Sequence, residues 1–244
     1  MTKVLKSFNE GIDILFDPIE HTYHYKDRQF LSASSFIKDY TEEFDSIKMA
    51  YMVSEKTGVS QATIVDVWSS NGNIAAGFGT AIHNVLEHYY KYKEVGAKMK
   101  ETNAAMPNHP FLRQLITELD KIKVDGDTHQ EVLISHQKKN ICGQVDDLLI
   151  LDAKKKICRI RDYKITADIL VEKGKLGAPF HTMKSNKLSK NYIQLAFYSY
   201  MMMAAGWKVE GIDIFNWNGE WTKYSLESTE LGVLIMLISG TYVK

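Results

Sequence analysis

In Ile157-Cys-Arg-Ile-Arg-Asp-Tyr-Lys164 an apolar run ends on two charged residues two positions apart. Side chains two apart in a strand share a face, so Asp162 and Lys164 point the same way. A second carboxylate interrupts the neighbouring apolar run, where Gly143-Gln-Val-Asp146 is followed by Asp147. Burying a bare carboxylate costs several kcal/mol unless it is paired or bound to a metal. If the two runs pair as adjacent strands, Asp146 lies beside Asp162, and a divalent cation resolves their repulsion. Hard oxygen ligands select Mg²⁺ or Mn²⁺. Such an ion stabilises charge on a phosphate and lowers the pKa of a bound water, which Lys164 can orient or help to deprotonate.

Asp-x-Lys alone is a weak signal. Taken singly, Asp162 and Lys164 read more readily as a structural ion pair, and Asp152-Ala-Lys154 is a competing triplet. That competitor sits in a polar run with Lys155 and Lys156 and reads as turn chemistry. Two further polar pairs strengthen the pattern. His83 and Glu87 are at i and i+4 of a helical stretch, as are Gln194 and Tyr198 of another, so each pair shares a helix face. The strand period puts Asp147 opposite to Asp146, which favours Asp146 for the site, although a bulge would exchange them.

The elements that must position these residues follow from periodicity and turn chemistry. Residues 12–16 and 21–25 alternate and read as a β-hairpin, with a turn at 26–28 before Phe30-Leu31. Ser32-Ala-Ser-Ser35 can cap a helix from Phe36. Residues 46–58 and 60–68 read as helices. Gly77-Phe-Gly79 then reads as a break before a helix over 80–93 that carries His83, followed by a polar loop over 97–110 and a helix over 111–122. Residues 131–135, 141–151 and 157–165 read as a three-stranded meander. A polar stretch over 167–190 leads to a helix over 191–205, a hairpin across Asn218-Gly-Glu220, and a helical tail from Glu230. The order implies an α/β domain, or an α+β one, with a mixed central sheet.

Bulk properties bound the alternatives. The chain has 244 residues, 45% hydrophobic and 25% charged, with a formal net charge of zero. It reads as a soluble globular protein, and a neutral total neither supports nor excludes nucleic acid. Cys142 and Cys158 are too few for a four-cysteine zinc or iron–sulfur site and read as buried free thiols, in keeping with a reducing cytoplasm. The N-terminus lacks a signal-peptide core, and the apolar run 233–238 is far short of the ~20 residues that span a bilayer.

In order, the chain reads Gly79-Thr-x-x-His83-x-x-x-Glu87, Glu131, Gly143-x-x-Asp146, Asp162-Tyr-Lys164 and Gln194-x-x-x-Tyr198. This series resembles the RecB-type exonuclease branch of the PD-(D/E)XK nuclease superfamily, and is similar to phage exonucleases and the mitochondrial genome maintenance exonuclease. The extended His21-Thr-Tyr segment, Ser32-Ala-Ser-Ser35 and Trp68 resemble the N-terminal part of the phage proteins.

The resemblance implies one nuclease domain over 1–244. A hairpin and helical extension at 1–75 would precede a restriction-endonuclease-like core at 76–244. It implies a Mg²⁺-dependent DNA exonuclease, with Mn²⁺ substituting, that acts on ends or single strands in phage or bacterial replication, recombination or repair. A related endonuclease, or a binding module that no longer cuts, is the alternative. His83, Asp146, Asp162 and the backbone carbonyl of Tyr163 would hold the metal. Lys164 would be the catalytic lysine, and Gln194 and Tyr198 would organise the site and touch the DNA backbone. Glu87 and Glu131 match more loosely: they would bind a second metal, hold Lys164, or be structural.

Two departures stand out. Ile165 follows Lys164 where Thr or Ser is common, and Asp147 doubles the acid. The iron–sulfur variants need cysteines this chain does not have. DNA is the implied partner, with a recombinase, helicase or single-strand-binding protein beside it, in the cytoplasm of the cell or of a phage host. Lys184, Lys187 and Lys190, spaced by three near His181, would grip phosphates, and Tyr192, Trp68 and Phe78 are candidates for base stacking.

Overall fold

The computed structural model describes residues 2–98, 107, 109–124 and 126–242. The N-terminal alternation makes four antiparallel strands: β1 (Lys3–Lys6), β2 (Asp13–Asp17), β3 (Thr22–Tyr25) and β4 (Arg28–Ser32). The expected pairing of 12–16 with 21–25 is present. β1 was not expected, because a four-residue strand with lysine at both ends shows no readable period. Ile14, Tyr23 and Phe30 bury one side of this meander against Leu133 and Cys142. β4 runs directly into α1 (Ala33–Lys38), where Ser32 is the N-cap and its hydroxyl accepts from the Ser35 N–H at 3.2 Å.

Helix α2 (Ser46–Thr57) starts on an Asp45 cap and ends at Gly58, whose φ of 70° closes the C-terminus. Helix α3 then runs unbroken over Gln61–Lys98. The break expected at Gly77-Phe-Gly79 does not exist, and the boundary drawn at residue 75 falls inside this helix. A helical glycine costs only about 1 kcal/mol against alanine, which flanking turns on both sides offset. The polar segment expected over 97–110 lies largely outside the described residues. Pro110 opens α4 (Pro110–Ile122) at a position where its missing N–H costs nothing. Leu115, Ile116 and Leu119 of α4 are fully buried, each worth roughly 1.5–3 kcal/mol.

The middle of the chain forms the expected meander of β5 (Asp127–His136), β6 (Ile141–Asp152) and β7 (Ile157–Ile165). α5 (Lys187–Ala204) crosses over to β8 (Lys208–Trp217), which pairs parallel with β7. β9 (Trp221–Glu227) and α6 (Ser228–Tyr242) complete the fold. α5 starts four residues before the expected Asn191, because Asn186 caps it by accepting from the Ser189 N–H at 2.8 Å.

The result is a nine-stranded mixed sheet in the order β1-β2-β3-β4-β6-β7-β8-β9, with β5 on the other edge of β6. Helices α1, α5 and α6 share one core with the sheet, and α3 and α4 share another with Tyr163, Phe215 and Trp217. The architecture is α/β, as the element order implied. Among the described residues no helix is long and apolar enough to cross a membrane.

Candidate active site

The sheet forks at β6. β4 pairs with Ile141 and Cys142 at its start, and β7 takes over the same edge from Asp147 onward. Asp146 sits in the fork. Asp147 lies opposite Arg161, and the same register continued by one residue puts Asp146 against Asp162. The Tyr163 N–H donates to Asp146 Oδ2 at 3.1 Å. Lys164 Nζ donates to Asp162 Oδ1 at 2.8 Å and lies 2.6 Å from Oδ2.

The alternation of β6 turns Asp147 to the other face. There it takes Lys123 Nζ at 2.7 Å, Arg161 Nη2 and Nε at 3.0 Å each, and the Tyr163 hydroxyl at 2.6 Å. No bulge exchanges the two acids. Asp146 faces Asp162, and Asp147 is the hub of a buried network.

Helix α3 brings His83 to the fork, with Nδ1 3.3 Å from Asp146 Oδ2. A ring N–H of His83 also bonds the Tyr163 carbonyl. Glu131 comes from β5, where the pairing of Gln130 with Asp147 and of Val132 with Val145 brackets it opposite Asp146. Its φ is 51°, the left-handed region that non-glycine residues seldom adopt, least of all within a strand. Gln144 Nε2 donates to Glu131 Oε2 at 2.7 Å. His83, Glu131 and Asp146 each offer one ligand atom, all within 4.8 Å of one another. They line a cleft of about 580 Å³ together with Lys3, His21 and Glu87.

Burial and mutual repulsion dominate the electrostatics. Burial, with Asp146 nearby, pushes Asp162 up to about 6 against the pull of Lys164. Burial, then Asp146, Glu87 and Asp162, pushes Glu131 up to about 8. Burial raises Asp146 as well, despite Lys164. Burial and the Lys164 ammonium hold His83 below the usual imidazole range, which leaves it neutral with a lone pair to offer. Burial works against the Lys164 charge, but Asp162, Asp146 and Glu131 outweigh it and raise its pKa.

Among the described residues three clustered carboxylates thus share one ammonium, with Asp162 Oδ2 buried 2.6 Å from Lys164 Nζ. Such an oxygen-rich, charge-deficient cluster fits a hard divalent cation. The compact ligand set is His83, Glu131 and Asp146. Asp162 and the Tyr163 carbonyl, both expected as ligands, adjoin it but are engaged by Lys164 and His83.

α5 closes the other side. Gln194 Nε2 donates to the Tyr198 hydroxyl at 2.9 Å. Burial raises the Tyr198 pKa, with Asp146 and Asp162 contributing, so the phenol stays protonated beside the acids. A Cβ on Gly143 would overlap the Tyr198 ring, which explains glycine three residues before Asp146.

The lysine run is arranged differently from the expectation. Lys184 pairs with Glu172 at 3.2 Å, and Lys187 is held by Asp168 and Thr166 Oγ1. Lys190 lies on the first turn of α5, and burial and Lys173 lower its pKa. Tyr192 packs against the core, Trp68 against Phe44 and Phe78 against Phe111. Both cysteines are free and buried, and burial pushes the Cys158 thiol up to about 12. Gln144, Lys123 and Arg161 gave no sequence signal beyond polarity. In Arg161 and Asp147 that polarity alternates with the site residues, and this was the available clue.

No family model matches the chain, and no curated protein does. A solved structure described as "Crystal structure of SSO0001" is 16% identical, with 66% of this chain and 70% of that chain covered and a TM-score of 0.29, a likeness too slight to bear on fold family or function.

Proposed function

We propose that the chain is a Mg²⁺-dependent DNA exonuclease on a restriction-endonuclease-like core, hydrolysing phosphodiester bonds at ends or in single strands. The observation that supports this reading best is the convergence of Asp146, Asp162 and Lys164 from adjacent strands with His83 and Glu131. His83, Glu131 and Asp146 would hold the cation, with Asp162 beside them. Bound there, the cation would neutralise charge on the scissile phosphate and acidify a coordinated water.

The chain's own residues do the rest. Lys164, fixed by Asp162, donates to the attacking water or to the phosphoryl oxygen that gains charge. His83 stays neutral. Gln194 and Tyr198 supply a fixed amide and a protonated phenol on the α5 side of the acids. A role in phage or bacterial replication, recombination or repair, in the cytoplasm and beside a helicase, recombinase or single-strand-binding protein, belongs to the same proposal.

The test is digestion of end-labelled linear and circular DNA, single- and double-stranded, with Mg²⁺ or Mn²⁺. Linear substrates are shortened and closed circles survive. Lys164→Ala and Asp162→Asn each abolish cleavage while the circular dichroism spectrum is retained. Cleavage by either variant at the parental rate refutes the assignment, cut circles replace the exonuclease with an endonuclease, and no cleavage by the parent leaves a binding module.

A further inference from the structure

The acidic cleft does not end at Glu131. This residue also lines a second cavity of about 660 Å³, between β1, the free edge of β5 and the far part of α3. Lys6, Phe8, Lys91 and His129 line that cavity, and Lys3 lines the cleft beside the acids. Together the two cavities make one groove. From His83 to Lys91 it follows eight residues of α3, ~12 Å at the helical rise. Lys3 and Lys6 stand ~10 Å apart along β1, where strand alternation turns them to opposite faces, so Lys6 belongs to the second cavity and Lys3 to the cleft beside the acids.

Lys3, Lys6 and Lys91 are exposed, and none forms an ion pair among the described residues; Lys91 lies only against the Tyr92 ring, at 5.7 Å. This distinguishes them from Lys184 and Lys187, whose charge Glu172 and Asp168 already meet. Phe8 and His129 line the same cavity, 5.3 Å apart centroid to centroid and tilted by 53°, so that either ring offers an aromatic face beside Lys6 and Lys91. Asp127, which lines the same cavity, lies 3.5 Å from His129 Nε2, and Asp13 is the cross-strand partner of Lys6 without an ion pair to it among the described residues. Unpaired ammoniums along both walls, with aromatic rings beside them, form the pattern that tracks a single strand of nucleic acid. A cavity of this volume is in the range of small-ligand sites and takes one or two nucleotides, not a duplex.

We infer that this groove carries a single nucleic-acid strand to or from the acidic cleft, with Lys3, Lys6 and Lys91 on its phosphates and Phe8 or His129 under a base. The direction of the strand toward the acids rests on the nuclease reading; the binding itself does not.

The test is fluorescence anisotropy of a short labelled oligothymidylate with the full chain in EDTA, where no cleavage occurs. Lys6→Glu combined with Lys91→Glu is compared with Lys138→Glu combined with Lys154→Glu, an equal charge reversal at exposed sites elsewhere. The groove variant is expected to bind about tenfold more weakly, with its log–log salt slope shallower by roughly 1.4 between about 50 and 200 mM salt, and the control within about twofold of the parent. Equal weakening of both variants, or parental binding by the groove variant, overturns the inference. So does a blunt duplex that binds as tightly as the oligonucleotide and depends equally on Lys6 and Lys91. If the parent cuts DNA with Mn²⁺ and the groove variant binds and cuts like it, the groove is wrong and the nuclease reading stands. If the parent binds through these lysines but cuts nothing, the groove stands and the nuclease reading falls.

Discussion

Replacing Lys123 by Met tests whether the network behind the site carries surplus positive charge. Lys123 and Arg161 share one carboxylate, Asp147, and the side chains of all three are at most 1% exposed. The Lys123 ammonium also lies over the Tyr90 ring, 3.0 Å from its centroid. Burial and the Arg161 charge outweigh Asp147 and lower the lysine from 10.5 to about 8. In the unfolded chain the ammonium persists to about 10.5, so between about 8 and 10.5 the unfolded state binds more protons and stability rises with pH. Below about 8 both states are protonated and the full cost is present, about 3 kcal/mol over the window at 1.36 kcal/mol per unit. Lys123→Met keeps the methylene stem and the Asp147–Arg161 pair, but removes the titration. The assay is urea unfolding of parent and variant at several pH values. The parent-minus-variant stability should be flat below about 7.5 and then climb at up to about 1.4 kcal/mol per pH unit. Taking the difference cancels the buried tyrosines and thiols, which titrate in both proteins. Parallel profiles, or a difference that falls with pH, would refute the reasoning, because a falling difference means that Asp147 holds the ammonium more strongly than burial and Arg161 oppose it.

Two further changes read other parts of the site. Gly143→Ala drives a methyl into the Tyr198 ring and should cost about 1–3 kcal/mol of stability by denaturant unfolding; a neutral effect would mean that Tyr198 moves aside freely. Glu131→Gly should be about 1 kcal/mol more stable than Glu131→Ala without metal, since only glycine accepts the φ of 51° without strain, and an alanine variant as stable as the glycine one would remove backbone strain from the account.

How much of this was legible depended on whether the signal was local. Strand period alone separates Asp146 from Asp147 and joins Asp162 to Lys164, because alternation is a property of the backbone. Helix spacing likewise places His83 over Glu87 and Gln194 under Tyr198. Gly77 and Gly79 misled because glycine weakens a helix without forbidding it. Glu131 was only a loose candidate because its role depends on a backbone angle that no residue type announces. The lysine run failed for a non-local reason: Asp168 and Glu172 fold back onto Lys187 and Lys184 from an irregular segment earlier in the chain. The free lysines lie instead on β1 and α3, far apart in sequence, and only the fold sets them across one groove.

The doubled acid at 146–147 then has a physical reading. One face of β6 gathers the carboxyl groups of Asp146, Glu131 and Asp162 about the Lys164 ammonium. The other face gathers Lys123 and Arg161 about the Asp147 carboxylate. A strand one residue thick separates the two clusters. Tyr163 ties the two together, since its N–H holds Asp146 and its hydroxyl holds Asp147. Removing Asp147 therefore does more than leave the buried Arg161 guanidinium unpaired, a loss of about 3–5 kcal/mol by itself: it frees the tyrosine whose backbone fixes the carboxylate in the fork.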